Sequence, residues 1–119
     1  MKWDDSEQDA RWIKDTTGWM DITDLEEMGV GPGVFVFANA GYIVKFVGMN
    51  EKEDVRAKRC ISLALAEGRA GESKNVIFLY TNTADSARIF RDFLVRKYDP
   101  PYNQGNVPEF KENNNNKIG

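Results

Sequence analysis

From Gly33 to Gly48 the chain reads GVFVFANAGYIVKFVG, and no other stretch limits the fold so tightly. Two runs of β-branched and aromatic residues flank Ala38-Asn39-Ala40-Gly41. Such runs favour extended backbone, and Asn39 and Gly41 are residue types that tolerate positive φ, so the stretch predicts two antiparallel strands closed by a tight loop. One tripeptide marks each strand: Gly33-Val34-Phe35 opens the first and Phe46-Val47-Gly48 ends the second. The rest of the chain is expected to pack on this hairpin.

On the N-terminal side, residues 1–29 form an acidic leader, with nine Asp/Glu against three Lys/Arg. Trp3, Trp12 and Trp19 punctuate it, and the seven-residue step from Trp12 to Trp19 would stack both rings on one helical face. Tryptophans in such polar surroundings predict an anchor onto the domain or onto a partner protein. Thr23-Asp24-Leu25-Glu26 has the form of a capping box, so a short helix is expected to start at Thr23 and stop at Gly29. Gly31-Pro32-Gly33 then breaks the chain and launches the first strand, Val34 to Phe37.

Beyond the hairpin, Asn50 is placed to cap a helix running to Glu67, with Ala57, Ile61, Ala64 and Leu65 as its buried stripe. Gly68 and Gly71 should end it. Asn75 to Tyr80, NVIFLY, reads as a third, largely buried strand. A second long helix follows over Asp85 to Lys97, burying Ala87, Phe90, Phe93, Leu94 and the stem of Lys97, until Asp99-Pro100-Pro101 stops it. The fold class is therefore α+β: a small three-stranded antiparallel sheet flanked by helices, in the order β-β-α-β-α over residues 30–103. The polar tail 104–119, with four consecutive asparagines from Asn113, is expected to be disordered.

Composition removes several kinds of chemistry. One cysteine, Cys60, and no histidine exclude a disulfide framework, a Cys/His zinc site and any His-dependent triad within the chain. No stretch reaches the roughly 20 apolar residues that span a bilayer, and the acidic start is unlike a signal peptide, so an intracellular, soluble protein with no membrane partner is expected. From Val30 onward thirteen Lys/Arg face ten Asp/Glu, a mildly basic balance compatible with phosphate binding.

Three separated motifs agree with one family. The paired tripeptides, the "Pro-Gly-Val-aromatic" opening at Pro32 to Phe35, and the helix ending Leu94-Val95-Arg96-Lys97-Tyr98-Asp99-Pro100-Pro101-Tyr102-Asn103 together resemble the GIY-YIG nuclease superfamily over about residues 31–103. The resemblance implies a site built from a tyrosine on each strand motif, an arginine on the first helix, a terminal asparagine, and a glutamate on the second helix that binds Mg²⁺ or Mn²⁺. The matching positions here are Phe35, Phe46, Arg56, Asn103 and Arg91, with Lys58 or Arg59 replacing Arg56 if the loop carries an insertion.

Those departures define the expected function. Phenylalanine lacks the hydroxyl that orients water or passes a proton, and a guanidinium at the glutamate position has no oxygen for a metal. Glu53, Asp54, Glu67, Asp85 and Asp92 do not match the metal-ligand position, and Tyr42 and Tyr80 read as strand-packing residues rather than substitute hydroxyls. The resemblance thus implies a catalytically degenerate domain, using no metal cofactor, that holds a nucleic-acid backbone through Arg56, Lys58, Arg59, Arg91 and Arg96. Two alternatives stand beside it: a protein-interaction or structural subunit docking through Trp3, Trp12 and Trp19, and an active Mg²⁺-dependent nuclease with a rearranged site.

Overall fold

The computed structural model describes residues 1–103; the expectation of disorder for the tail lies outside them. The fold is α+β. Seven regular elements run along the chain: β1 (Ile13–Thr16), β2 (Met20–Asp21), β3 (Gly33–Ala38), β4 (Val44–Asn50), α1 (Ala57–Ala66), β5 (Asn75–Thr81) and α2 (Ala84–Tyr98). Short 3₁₀ turns cover Asp5–Asp9 and Pro101–Asn103.

All strand pairs are antiparallel, in the order β1-β5-β3-β4, with β2 also pairing β5. The sheet therefore has five strands rather than three, and the additional two come from the acidic leader. Trp12 and Trp19 do not share a helical face: Trp12 precedes β1, and Trp19 follows Gly18, whose φ of 71° turns the chain between β1 and β2. The leader lacked an alternating apolar pattern because only the far edge of β5 receives it.

Period-two alternation divides the core into two layers. Phe35, Phe37, Val76, Phe78 and Tyr80 face α1, together with Phe46, Met20 and Met28. Val34, Val36, Ile77 and Leu79 face α2, where they meet Phe90, Leu94 and Trp3. A sheet covered on both faces reads as a continuous apolar run, which is the character of GVFVFA and NVIFLY. The glycines of the paired tripeptides follow from this packing. A Cβ on Gly33 would collide with the Phe78 ring and the Leu79 carbonyl, and one on Gly48 would collide with the Phe35 ring across the strand pair.

Local chemistry overrides four expectations. No helix forms at residues 23–29, because the Thr23 hydroxyl donates back to Asp21 Oδ1 at 2.6 Å instead of accepting a bond from Glu26. In the hairpin loop the left-handed residue is Tyr42, at φ 63°, rather than Asn39 or Gly41; the Asn39 carboxamide oxygen accepts from the Gly41 and Ile43 amides at 2.9 Å each. Asn50 is buried and does not cap α1: its amide donates to the carbonyls of Gly31, Lys52 and Val55 and so ties the 51–55 loop to the start of β3. On α2 the buried stripe is Ala87, Phe90, Leu94 and Tyr98, while Phe93 is 40% exposed and the Lys97 ammonium turns to Glu7 of the leader.

Among the described residues no helix is long and apolar enough to cross a membrane.

Candidate functional site

Because β4 ends the sheet, the flanks of α1 and α2 leave a gap beside it. A cleft of about 600 Å³ opens there, reaching both helical layers. Its floor is Phe35 and Phe46, whose ring centroids lie 6.0 Å apart at 49°. One wall is the α1 face Cys60, Leu63, Ala64 and Glu67, a spacing that keeps four residues on one side of a helix. Arg91, Asp92 and Val95 of α2 form the other.

Of the positions singled out from sequence, Phe35, Phe46, Arg91 and Asn103 all line this cleft. Arg56 does not: it occupies the N-cap position of α1, one turn before Cys60, and its Nη1 donates to the Met28 carbonyl at 3.2 Å. Lys58, Arg59 and Arg96 are also outside the lining. Glu67 and Asp92, set aside from sequence as misplaced carboxylates, do reach the cleft. Adjacency on a helix separates Arg91 and Asp92 by about 100°, yet the cleft is wide enough to take both.

Asn103 has a positional role that the motif did not disclose. Its Oδ1 accepts from the Val47 amide at 2.7 Å and its Nδ2 donates to the Val47 carbonyl at 2.8 Å. The carboxamide thereby satisfies the outward-facing backbone groups of Val47 as another strand would, and latches the chain after α2 to the cleft rim.

Arg69 is the cation that sequence reasoning missed. Gly68 and Gly71, at φ 79° and 54°, fold the chain back over the end of α1 and lay Arg69 across the floor, its Cζ 5.4 Å from the Phe46 centroid. Its side chain is 11% exposed, and it donates at 3.4 Å to both Glu67 Oε1 and the Tyr102 carbonyl. The glycine bracket was visible in the sequence as a helix stop, but its meeting with Phe46 is a long-range contact that local spacing does not encode.

The site's electrostatics are balanced. Arg91 Nε lies 2.8 Å from Asp92 Oδ1, and Arg69 faces Glu67, so two guanidinium groups meet two carboxylates. Desolvation pushes the Cys60 thiol above its ordinary pKa, which keeps it protonated and poorly nucleophilic near neutrality. Outside the lining, Glu72 is held down to about 2, first by its hydrogen bond from Lys45 and then by that from Tyr102, the chain neighbour of Asn103. Those bonds span 2.9 and 2.8 Å.

Neither substitute hydroxyl serves the cleft. Tyr80 OH donates to the Gly29 carbonyl at 3.2 Å in the α1 layer, and Tyr42 packs on Trp19 at the hairpin tip. A divalent cation, which the active-nuclease alternative requires, is a poor fit for this donor set. Each carboxylate in the cleft already faces an arginine, and a metal would have to compete with both guanidinium groups. The arrangement suits anion binding over an apolar floor rather than proton transfer.

No protein-family model matches the chain, and no curated protein is similar to it.

Proposed function

We propose that the domain binds a nucleic-acid phosphate backbone in the cleft beside β4 without metal-dependent cleavage, as a catalytically degenerate relative of GIY-YIG nucleases. The observation that supports this reading is the gathering of Arg91, Phe35, Phe46 and Asn103, which are far apart in sequence, around one cleft that Arg69 enters from the opposite side. A phosphate can take the place of a carboxylate on a guanidinium, because either group can offer two oxygens to the parallel N–H donors of the planar guanidinium fork. The Arg91–Asp92 pair then acts as a gate: its partner is a neighbouring, half-exposed carboxylate that a polyanion can displace. Cleavage is not expected, because the floor rings carry no hydroxyl and the second helix offers a cation where a metal needs oxygen. The subunit alternative has less support, since Trp3, Trp12 and Trp19 pack on the chain's own core.

Fluorescence anisotropy with labelled single-stranded, duplex and branched nucleic acids tests the reading. Binding at low salt should weaken as salt rises, and replacing Arg69 and Arg91 together by alanine should reduce the log–log salt slope by about two on duplex DNA. No binding at low salt in any form would sink the proposal. Cleavage in Mg²⁺ or Mn²⁺ by the wild type, not increased by Arg91→Glu, would overturn its catalytic half.

A further inference from the structure

Large apolar side chains left in water are few among the described residues, and two of them share one face of one helix. Ile89 is 65% exposed and Phe93 40%, four residues apart on α2. The exposed Leu63 belongs to the cleft and Tyr42 packs on Trp19, but Ile89 and Phe93 point away from the side of α2 that Ala87, Leu94 and Tyr98 press on the sheet. Phe93 leans on Phe90, with ring centroids 6.4 Å apart and 12° between planes, so its ring is held in place beside Ile89.

Charges bracket this pair. Asp85 stands one turn before Ile89 with its side chain 83% exposed, and the exposed Arg96 follows Phe93 by three residues. At about 100° per residue, Asp85, Ile89, Phe93 and Arg96 fall within about 80° around the axis and form one stripe. It is acidic at the N-terminal end, apolar in the middle and basic at the C-terminal end. The Asp85 carboxylate bonds Arg88 through Oδ1 at 2.7 Å, which leaves its second oxygen for another cation.

A stripe of that order is complementary to its own reverse. Laid antiparallel on a second α2, Asp85 of each copy meets Arg96 of the other, Ile89 and Phe93 interleave at the centre, and the two helix dipoles oppose. Parallel docking would set Asp85 against Asp85 and Arg96 against Arg96, which repel. A two-fold contact needs one self-complementary patch of this kind and nothing more. Helices of 15 residues meet over about 22 Å, the small end of specific interfaces, so the association is reversible and depends on concentration.

We propose that the outward face of α2 is a homodimer interface, in which Ile89 and Phe93 pack antiparallel on the same residues of a second copy and Asp85 pairs with Arg96 across the two-fold axis. Arg91 projects about 200° round the helix from Ile89, so the contact leaves the cleft open.

Sedimentation equilibrium of the full chain over a range of concentrations tests the interface. The wild-type weight-average mass should rise toward twice that of the monomer, and Ile89→Glu should weaken association about tenfold or more. Asp85→Lys and Arg96→Glu should each stay monomeric alone, because each sets like charges across the axis. Mixed together they should dimerise, because both cross-axis pairs are then opposite in sign. Circular dichroism checks that each variant is folded; should Ile89→Glu lose its helical signal, the two charge variants, which alter only exposed side chains, carry the test. A wild-type chain that stays monomeric at millimolar concentration would overturn the proposal and leave the face to a different partner. Unchanged association in a folded Ile89→Glu would overturn the choice of face, and no recovery on mixing would overturn the antiparallel pairing.

Discussion

Two clusters of opposite charge, one under the leader and one in the cleft, use the same chemistry to different ends. Under the leader, Glu7 is buried at 8% exposure, and its Oε2 accepts from Lys97 Nζ at 2.6 Å and Tyr98 OH at 2.8 Å. The Tyr98 oxygen also accepts from the Asp4 amide at 3.0 Å, and Trp3 lies stacked on its ring. In the cleft, Arg91 and Asp92 are chain neighbours, 32% and 52% exposed, and neither reaches another element through this pair. A buried, multiply bonded carboxylate is costly to leave unpaired, so the first cluster fixes the leader to α2. An exposed pair is screened and exchangeable, so the second is free to trade one anion for another.

Breaking the leader cluster should give the largest effects. Trp3→Ala removes a buried ring that packs on Trp19 and Tyr98; we expect a loss of about 3–4 kcal/mol in urea unfolding. Next in size, Glu7→Gln keeps the shape but not the charge, and should cost about 1–2 kcal/mol. The same junction predicts a pH response. The hydrogen bond to Glu7 raises the Lys97 pKa, while burial and then Glu7 raise that of Tyr98. Groups raised in the folded state contribute fully below their unfolded values, so stability should fall as pH climbs above about 10 in the wild type and less steeply in Glu7→Gln.

The cleft should show the smaller effects on stability. Arg91→Ala is expected to change the unfolding free energy by no more than about 0.5 kcal/mol, even as it weakens phosphate binding. At the tie between Glu72, Lys45 and Tyr102 the sign of the pH effect reverses. Glu72 is lowered from an ordinary 4.5 to about 2, so its tie to Lys45 and Tyr102 is intact above the ordinary value and is lost as pH falls toward the lowered one. Tyr102 ring signals followed by NMR should shift across that acid window in the wild type and remain flat in Glu72→Gln. A large loss of stability in Arg91→Ala, or none in Glu7→Gln, would reverse the contrast between the two clusters.

Much of the domain was legible because its signals are local. The hairpin, NVIFLY as a buried strand, and the presence of both long helices followed from residue type and period; the limits of α2 came within two residues, whereas α1 starts at Ala57 rather than just after Asn50. What failed was also local in form but settled at a distance. The leader was read for a helical step between Trp12 and Trp19, yet its residues are extended because β5 had an unpaired edge to offer them. Thr23 is the local exception: it fitted a capping box, but Asp21, two residues upstream, accepts its hydroxyl.

For the site, Phe35, Phe46, Arg91 and Asn103 line one cleft, and Arg56 lies outside its lining. On the helical wheel Arg56 shares a face with Cys60 and Glu67, but the Met28 carbonyl holds its guanidinium away from the cleft.

Between Gly33 and Tyr98 the sequence by itself determined which segments are extended or helical, because alternation and 3.6-residue period report burial along a single element. It also determined that the chain holds no imidazole and that the strand rings carry no hydroxyl, since these are matters of residue identity. Only the tertiary structure decided that the leader completes the sheet, that Asn103 satisfies the outward backbone groups of Val47, and that Arg69 lies on Phe46. Each of these joins residues distant in the chain, and their meeting is set by how two helices and an irregular leader share the faces and edges of one sheet.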